Sequence, residues 1–256
     1  MKVAVVTGAN RGIGLEVCRQ LSDRGFHVIL TARNVEAGQA VATKLGLEFR
    51  PLDVTDEASI TNFVEKVKER HGQVDVLINN AGVSLDGFGY RVVNDTLAVN
   101  FYGPLRVTDA MLPILKENAR VVMVSSGMGE LACLGVDLAE RFSSDALDRD
   151  ELLALMKKFV DDVAFEVHVT QGWPTSAYRV SKVGLNGLVR VLNRELEGRS
   201  IRVNAVDPGW VNSDMGGASA PKNLEEGADT ITWLASKDDP EGPRGQFFRE
   251  RSVVKW

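Results

Sequence analysis

The chain has 256 residues, of which 44% are hydrophobic, and this is enough apolar material to bury a large core. Its formal net charge of −5, without any long run of Lys or Arg, excludes the basic surface typical of nucleic-acid-binding proteins. No apolar run approaches the roughly 20 residues that span a bilayer. We therefore expect one α/β domain over residues 1–256 whose partner is a small molecule, with no nucleic-acid or membrane partner.

The cysteines and histidines indicate a reducing environment without a metal centre. Cys18 and Cys133 lie far apart, and no signal-peptide pattern precedes them, so we expect a cytoplasmic location. His27, His71 and His168 have no metal-ligand spacing among themselves or with the cysteines. The sequence therefore predicts no metal site.

Short apolar strands alternate with amphipathic helices through the first third of the chain. The predicted strands are VAVVT, HVILTA, LEFRPLDV and VDVLINN, and the predicted helices cover residues 12–24, 35–45 and 56–72. The strands are continuous apolar runs, as expected when helices cover both faces of a parallel sheet. This alternation predicts a doubly wound, Rossmann-type α/β fold of about seven strands, with helices on both faces.

The alternation is interrupted after the strand RVVMVSS, which covers residues 120–126. An inserted segment follows, at about residues 128–170, and apolar residues recur at helical spacing within residues 147–167. Asp148 and Glu151 resemble a capping box at the start of that helix. We expect this additional helix to cover core surface. Further predicted elements are a helix containing Tyr178, a strand within residues 201–209, a helix from about Leu224 and a strand at residues 245–250.

The first junction between a strand and a helix reads TGANRGIG, at residues 7–14. Glycines permit a sharp turn and close approach of the backbone to a pyrophosphate, whose negative charge the following helix N-terminus favours. The spacing G-x-x-x-G-x-G is a variant of the dinucleotide fingerprint; the alternative is an ordinary tight turn. The position between a strand and a helix favours a cofactor site formed by Gly8, Asn10, Arg11, Gly12, Ile13 and Gly14.

The end of the second strand indicates which dinucleotide is bound. In folds of this class a carboxylate about 20 residues beyond the glycines accepts hydrogen bonds from the ribose of NAD. The sequence here is LTARN, which has no acid but contains Arg33, and Arg11 projects from the glycine loop. Guanidinium groups bind a 2′-phosphate well, so the sequence predicts NADP(H). The alternative is that Arg33 is only a solvated residue before a helix.

Tyr178 and Lys182 lie four residues apart in YRVSK and share one face of the predicted helix. The pair alone is weak evidence, because Tyr-x-x-x-Lys arises by chance in roughly one such chain in eight. Its alternative interpretation is an ordinary pair on a helix surface. The remaining motifs decide between the two.

Five motifs in order resemble the short-chain dehydrogenase/reductase family: TGANRGIG, NNAG (79–82), SS (125–126), YRVSK (178–182) and PGWV (208–211). Four further segments are similar to the monomeric carbonyl reductases of that family, namely LTARNVEAGQAV (30–41), GWPTSAY (172–178), PGWVNSDMGG (208–217) and PEGPRGQFFRE (240–250). The resemblance implies an NADPH-dependent oxidoreductase that reduces aldehydes, ketones and quinones. It also implies a monomer, because the insertion in those reductases covers the surface through which other members form tetramers.

The resemblance assigns roles to four candidate catalytic residues. Tyr178 is the proton donor to the carbonyl oxygen, and Lys182 eases formation of the phenolate and holds the nicotinamide ribose. Ser126 matches the residue that donates a hydrogen bond to the carbonyl oxygen, and Ser125 is the less favoured candidate. Asn100 matches the residue that helps hold a water relaying protons toward the lysine; the alternative is a buried Asn that satisfies local backbone groups.

Other residues match the cofactor and substrate positions of the family. Asp53 matches the acid that accepts a bond from the adenine amino group, and Val54 lies beside the ring. Further implied cofactor contacts, besides Tyr178 and Lys182, are Asn80, Ala81, Gly82, Pro208, Gly209, Val211 and Ser213, the last replacing a common Thr. Three candidates for an apolar substrate cleft, with core positions as the equal alternative, are Met128, Trp210 and Met215.

Two other functions stay open on the sequence alone. One is a reductase or alcohol dehydrogenase of the same family with a narrow terpenoid-like or alkaloid-like ketone substrate, because such relatives share the insertion. The other is a non-catalytic NADP(H)-sensing protein that retains the fold. Proteins of that kind often lose the serine, tyrosine or lysine, and this chain contains all three.

Overall fold

The computed structural model describes residues 1–239 and 242–256, so the first two residues of the segment PEGPRGQFFRE lie outside the described residues. One eight-stranded sheet has the order β3-β2-β1-β4-β5-β6-β7-β8. The strands are Val3–Val6 (β1), His27–Ala32 (β2), Glu48–Pro51 (β3), Val74–Asn79 (β4), Leu115–Val124 (β5), Arg202–Val206 (β6), Phe247–Arg249 (β7) and Ser252–Val253 (β8). All pairs among β1 to β7 are parallel, which confirms the predicted doubly wound fold, and β8 adds a short antiparallel edge that the sequence did not predict.

Helices cover both faces of this sheet. They are Gly12–Asp23 (α1), Val35–Leu45 (α2), Glu57–His71 (α3), Tyr90–Leu97 (α4), Gly103–Met111 (α5), Val136–Ser143 (α6), Arg149–Ala164 (α7), Ala177–Glu195 (α8) and Leu224–Ser236 (α9). The predicted helices α1, α2, α3, α7, α8 and α9 are confirmed, whereas α4, α5 and α6 were not predicted. No helix within residues 1–239 or 242–256 has both the length and the apolarity to cross a membrane.

Side chains of the central strands divide between two cores. In β1, Val3 and Val5 pack into the core on one face, and Ala4 and Val6 pack into the core on the other. Both faces of the strand are therefore buried, which explains why its sequence is continuously apolar. The strand order reverses between β1 and β4, so a crevice opens beyond their carboxyl ends.

The inserted segment forms α6 and α7, and α7 packs on the helix α8. A Cβ atom on Gly184 of α8 would lie 2.6 Å from Met156 Sδ of α7, so any larger residue there would have to displace the Met156 side chain. The predicted capping box is only half formed. Asp148 Oδ1 accepts a bond from the Glu151 backbone N–H at 2.9 Å, but the Glu151 carboxylate accepts one from Arg141 Nε at 2.8 Å and does not return to the cap.

One carboxylate joins β2, β3 and the end of α3 at the edge of the sheet formed by the amino ends of its strands. His27 Nε2 and His71 Nε2 lie 2.8 Å and 3.0 Å from Glu48 Oε2, and Arg50 Nε donates to Glu48 Oε1 at 2.8 Å. Within the described part of the chain these two histidines and the glutamate are the one group whose ligand atoms could meet at a metal ion. The guanidiniums of Arg50 and Arg70 already neutralise the carboxylate, so the arrangement is better explained as an ion-pair cluster.

The cluster makes stability depend on pH. Burial opposes ionisation of Glu48, but hydrogen bonds with His27 and Arg50 outweigh it and hold the pKa of this carboxyl below its usual 4.5. Since the folded pKa is depressed, the contribution is complete above pH 4.5 and is lost as pH falls through the folded value. Burial also lowers the pKa of His71 below 6.5, so protonation of His71 in acid disfavours the fold as well.

We expect Glu48→Gln to reduce the free energy of unfolding at neutral pH by about 1–3 kcal/mol, because it leaves partly buried cationic groups without their partner. The difference from the wild type should shrink below pH 4.5, where the wild-type carboxylate is itself protonated. Urea unfolding followed by tryptophan fluorescence at neutral and acid pH measures this. Glu57→Gln, at a side chain that is 85% exposed, is the control with little expected change, and a pH-independent difference would contradict the prediction.

Candidate active site

The glycine loop is packed directly against the turn after β4. Gly8 has a φ of +61°, and a Cβ atom there would lie 2.8 Å from Ala81 Cα. A Cβ atom on Gly14 would lie 2.3 Å from Asn80 Nδ2. These glycines are thus required by positive φ and by the close approach of the two loops, and the exposed side of the loop leaves backbone N–H groups near the start of α1.

Thr7 and Asn80 hold the two loops together. Thr7 Oγ1 accepts bonds from the backbone N–H groups of Asn80 and Ala81 at 2.9 Å and 3.0 Å. Asn80 Nδ2 donates to the carbonyl groups of Thr7 and Gly8 at 2.9 Å and 3.0 Å. The amide nitrogen of Asn80 therefore shapes the glycine loop, a role that the sequence did not predict, and Thr7 was missed although it begins the TGANRGIG motif.

Two arginines lie at the positions predicted for the adenosine phosphate. Arg33 follows β2 directly, its side chain is exposed, and it forms no ion pair with any residue of the ranges 1–239 and 242–256. Arg11 is the residue before α1, and its Nη1 donates to Asp214 Oδ2 at 2.7 Å between two exposed side chains. Arg33 is thus free to bind a phosphate group, whereas Arg11 must release its exposed carboxylate partner before it can bind a phosphate.

Asp53 and Val54 form a tight turn after β3. Asp53 Oδ1 accepts bonds from the Thr55 backbone N–H at 2.9 Å and from Thr55 Oγ1 at 2.7 Å. Val54 is buried, and a Cβ atom on Gly103 would lie 2.9 Å from its Cγ2. The carboxylate is therefore fixed in orientation just beyond the carboxyl end of β3, and its contact with an adenine stays a prediction.

The lysine, tyrosine and serine predicted as catalytic meet at the carboxyl end of β5. Lys182 is buried, its Nζ donates to the Val124 carbonyl at 2.9 Å, and Nζ lies 5.5 Å from the centre of the Tyr178 ring. Tyr178 and Ser126 both line the cleft, and the serine is close enough to influence the pKa of the phenol. The pair on one face of α8 is therefore not an ordinary surface pair.

The chemistry of this group is set by burial. Burial raises the pKa of the Tyr178 phenol above 10, an effect that the neighbouring Ser126 opposes and the charge of Asp207 reinforces. Burial lowers the pKa of Lys182 to about 8, and Asp207 opposes that shift. Near neutral pH the phenol is therefore an acid and the ammonium a cation, which is the combination needed to donate a proton and stabilise the phenolate left behind.

Both Ser125 and Ser126 border the cleft, but their hydrogen bonds and exposure differ. Ser125 is buried, and its Oγ donates to Asn186 Oδ1 of α8 at 2.7 Å. Ser126 begins the 3₁₀ turn Gly127–Gly129, and a Cβ atom on Gly129 would lie 2.8 Å from the backbone carbonyl carbon of Lys182. The turn that carries Ser126 is therefore packed closely against α8, the helix that carries Tyr178 and Lys182.

Asn100 lies in the π-helical turn Ala98–Tyr102, between α4 and α5, and not in an ordinary α-helix. Its Oδ1 accepts a bond from the Val83 backbone N–H at 2.8 Å, and its Nδ2 donates to the Val83 carbonyl at 2.9 Å and to Ser181 Oγ at 3.1 Å. A Cβ atom on Gly82 would lie 3.5 Å from Asn100 Oδ1 and 3.9 Å from Lys182 Nζ. Asn100 therefore satisfies local backbone groups and also lies close to the lysine, so both interpretations from the sequence have support.

The loop after β6 carries the motif predicted to hold the nicotinamide. Gly209 has a φ of +82°, and Val211 forms an isolated β-bridge with Lys222. Ser213 Oγ donates to the Val211 carbonyl at 3.3 Å and accepts a bond from the Gly216 backbone N–H at 3.2 Å. The hydroxyl at position 213 thus braces the loop, and Pro208 lies beside Gly209 on the cleft wall.

A cleft of about 610 Å³ opens beside the tyrosine. Met128, Trp210 and Met215 line it and are 44%, 57% and 52% exposed, so the alternative of core positions is wrong for all three. Trp210 Nε1 donates to the Gly216 carbonyl at 2.8 Å, which fixes the indole as a wall. Cleft residues for which the sequence held no signal are Ser84, Leu85, Gly87 and Thr175. A substrate role for these side chains stays a prediction.

A β-sheet of this order, a glycine loop at its switch point and a tyrosine-lysine pair beside a cleft define a dinucleotide-dependent enzyme of one family. The family model described as short chain dehydrogenase matches residues 2–137, and the one described as Enoyl-(Acyl carrier protein) reductase matches residues 163–240. The chain belongs to the short-chain dehydrogenase/reductase family, as the motifs predicted.

Several individual relatives are similar over the whole chain. The protein is 41% identical over 272 residues to carbonyl reductase (NADPH) 1 of Homo sapiens, covering 99% of this chain and 98% of that protein. Among solved structures, salutaridine reductase from Papaver somniferum has a TM-score of 0.90 at 30% identity, covering 97% of this chain and 99% of that one. The NADPH-bound carbonyl reductase from chicken fatty liver has a TM-score of 0.76 at 25% identity and covers both chains fully.

Proposed function

We propose that the protein reduces aldehydes, ketones and quinones to alcohols with NADPH. The observation that carries this proposal is that Tyr178 and Ser126 line one cleft together with Ile13 of the glycine loop, while the buried Lys182 lies behind Tyr178 with its Nζ 5.5 Å from the ring centre. Full-length similarity to carbonyl reductases that use NADPH supports the same conclusion. A non-catalytic sensor would have no need to assemble a buried lysine against a tyrosine at a cleft.

The residues at the crevice fit NADPH. The glycine loop and the start of α1 offer backbone N–H groups to a pyrophosphate, and Arg33 offers a free guanidinium to a 2′-phosphate, with Arg11 beside it. Asp53 and Val54 would hold the adenine, and the loop of Pro208, Gly209, Val211 and Ser213 would hold the nicotinamide. When bound, NADPH supplies the hydride that is added to the carbonyl carbon.

The remaining chemistry belongs to protein side chains. Ser126 donates a hydrogen bond that orients the carbonyl oxygen, and Tyr178 transfers its phenolic proton to that oxygen as negative charge develops. Lys182 stabilises the phenolate that remains and, from the same face of α8, would hold the cofactor ribose. Asn100 keeps the backbone at Val83 in place beside the lysine, where a water can return a proton.

The experiment that tests this function is NADPH consumption, followed at 340 nm as a conventional readout, across a panel of quinones, aldehydes and ketones. Turnover of several members supports the proposal, and no turnover of any member contradicts it. The TM-score of 0.90 to salutaridine reductase supports a second candidate, a reductase with a narrow terpenoid-like or alkaloid-like ketone substrate. Turnover restricted to one such ketone would favour that alternative.

We expect Arg33→Asp to shift preference from NADPH toward NADH. The change removes the free guanidinium and places a carboxylate where it repels a 2′-phosphate and accepts bonds from ribose hydroxyls. The ratio of kcat/KM for the two cofactors should change on the order of 100-fold, which corresponds to about 2.7 kcal/mol. Arg91→Asp, at a side chain that is 94% exposed on α4, is the matched control, and an unchanged ratio in Arg33→Asp would refute the assignment of NADP(H) selectivity to this residue.

We also propose a monomeric protein with one domain in the cytoplasm. A single sheet runs through the described residues, and α7 of the insertion packs against α4, which belongs to the crossover after β4. The two free cysteines agree with a reducing compartment. Sedimentation at four times 27.9 kDa would contradict the monomer.

A further inference from the structure

Asp207 is a buried carboxylate in the wall of the proposed active site. It follows β6 directly and is 5% exposed. Among the described residues, Asp162 is the one other carboxylate buried to this degree, and it is bonded to Lys158 and Trp173 in the insertion. Burying a carboxylate costs free energy unless the group is paired, so the partners of Asp207 indicate what the residue does.

The two oxygens of Asp207 connect three parts of the site. Oδ1 accepts a bond from the Gly209 backbone N–H at 2.9 Å, within the loop proposed to hold the nicotinamide. Oδ2 accepts a bond from Arg249 Nε of β7 at 2.7 Å. A Cβ atom on Gly127, next to Ser126, would lie 2.5 Å from Arg249 Nη2 and 3.0 Å from Asp207 Oδ2. The ion pair is therefore packed against the turn that carries the serine.

The charge of Asp207 also reaches the tyrosine and the lysine. Beyond the dominant effect of burial, it raises the pKa of Tyr178 and opposes the lowering of the pKa of Lys182. Both effects favour the protonated forms, which are the forms that donate a proton to a carbonyl. The hydrogen bond of Arg249 with Asp207 raises the pKa of Arg249, so this cation partly offsets the same negative charge. Glu130 also faces the guanidinium, with its Oε1 3.6 Å from Arg249 Nη2.

We propose that Asp207 is a positioning residue that fixes the nicotinamide loop through Gly209 and, paired with Arg249 against the turn that carries Ser126, sets the charge that acts on the tyrosine and the lysine. The inference rests on the proposed carbonyl reduction. It extends that function because the charge of Asp207 favours the forms of the site that donate a proton, as carbonyl reduction requires. An acidic side chain placed before the Pro-Gly of the loop, and an arginine 42 residues later, thereby act as one unit.

The test compares Asp207→Asn, Asp207→Glu and Arg249→Gln with the wild type by the pH profile of kcat for NADPH-dependent reduction. Asp207→Asn keeps the size of the side chain but removes the charge, so the pH above which kcat falls should move down by about one unit. Arg249→Gln removes the cation that offsets the charge of Asp207, so the pH above which kcat falls should move up. Asp207→Glu, which restores the charge, should return the profile toward that of the wild type.

A second readout follows the loop itself. Asp207→Asn should raise KM and the dissociation constant for NADPH several-fold, because an amide accepts the Gly209 hydrogen bond less strongly than a carboxylate does. Asp229→Asn is the matched control. It breaks an Asp-Arg pair with Arg251, just beyond the same strand, but both side chains are 40% exposed or more and lie outside the cleft, so neither readout should change.

The outcomes separate this inference from the proposed function. If the wild type reduces no carbonyl compound, the function fails, and NADPH affinity alone then tests the loop. If the wild type is active and Asp207→Asn leaves the profile and NADPH affinity unchanged, the role of Asp207 is refuted. Shifts in the same direction for Asp207→Asn and Arg249→Gln, at equal thermal stability, would show general loosening of the site and overturn the electrostatic role. If Asp207→Asn does not fold, the direction of the shift in Arg249→Gln decides.

Discussion

Replacing Tyr178 by Phe is expected to lower kcat for NADPH-dependent carbonyl reduction by roughly 10³-fold, which corresponds to about 4 kcal/mol in the activation barrier. The change removes one oxygen atom, and with it the proton that neutralises the carbonyl oxygen as the hydride arrives. Because burial raises the pKa of this phenol, the wild-type group holds its proton throughout the neutral range, and solvent offers no equally placed donor.

NADPH binding should persist in Tyr178→Phe, since the glycine loop and Arg33 are distant from the phenolic oxygen in the chain and do not depend on it. Stopped-flow measurement of hydride transfer and fluorescence titration of NADPH separate the two quantities. Tyr90→Phe is the matched control, because Tyr90 is 58% exposed and lies outside the cleft. Turnover of Tyr178→Phe within a few-fold of the wild type would exclude this tyrosine as the proton donor.

Replacing Lys182 by Met is expected to lower kcat by at least roughly 10²-fold and to weaken NADPH binding as well. The side chain is buried, so the apolar replacement occupies similar space but removes the cation beside Tyr178 and the donor to the Val124 carbonyl. Without the ammonium, the phenolate formed during proton transfer has no opposite charge to stabilise it.

The pH dependence of the wild type follows from the same lysine. Burial lowers the pKa of Lys182 to about 8, so the ammonium is present below that pH and is lost as pH rises through it. Reduction should therefore slow above about pH 8 in the wild type. The control is Lys157→Met, at a side chain on α7 that is 72% exposed, which should keep both rate and profile. A wild-type rate that stays level well above pH 8 would contradict the assignment.

The sequence predicted those parts of the site that short motifs encode. Tyr178 and Lys182 are one helical turn apart, and glycines 8, 12 and 14 lie within one loop, so their geometry is local. Asn100 was predicted as a site residue, but the π turn around it was not, because periodicity does not distinguish α from π turns. The bonds of Asn80 to the glycine loop likewise depend on contact between β1 and β4.

Contacts between distant segments were not predictable. Asp207 and Arg249 are 42 residues apart, and His71 lies 23 residues from Glu48, so no spacing rule connects them. The predicted capping box failed for a related reason. Arg141, ten residues before Glu151 in the chain, binds the carboxylate that would have completed it, and a guanidinium is a stronger partner than a backbone N–H group.

The cluster around Glu48 gives the molecule a practical separation of properties. His27 and Glu48 begin their strands, whereas the cleft lies beyond the carboxyl ends of the strands. The length of β2, about 20 Å, therefore separates the Glu48 cluster from the edge of the sheet where the cleft lies. Residues at one edge of the sheet thus determine stability in acid, and residues at the opposite edge determine turnover. An enzyme that is more stable in mild acid can therefore be sought by substituting residues 27, 48 and 71 while the residues that line the cleft are kept unchanged.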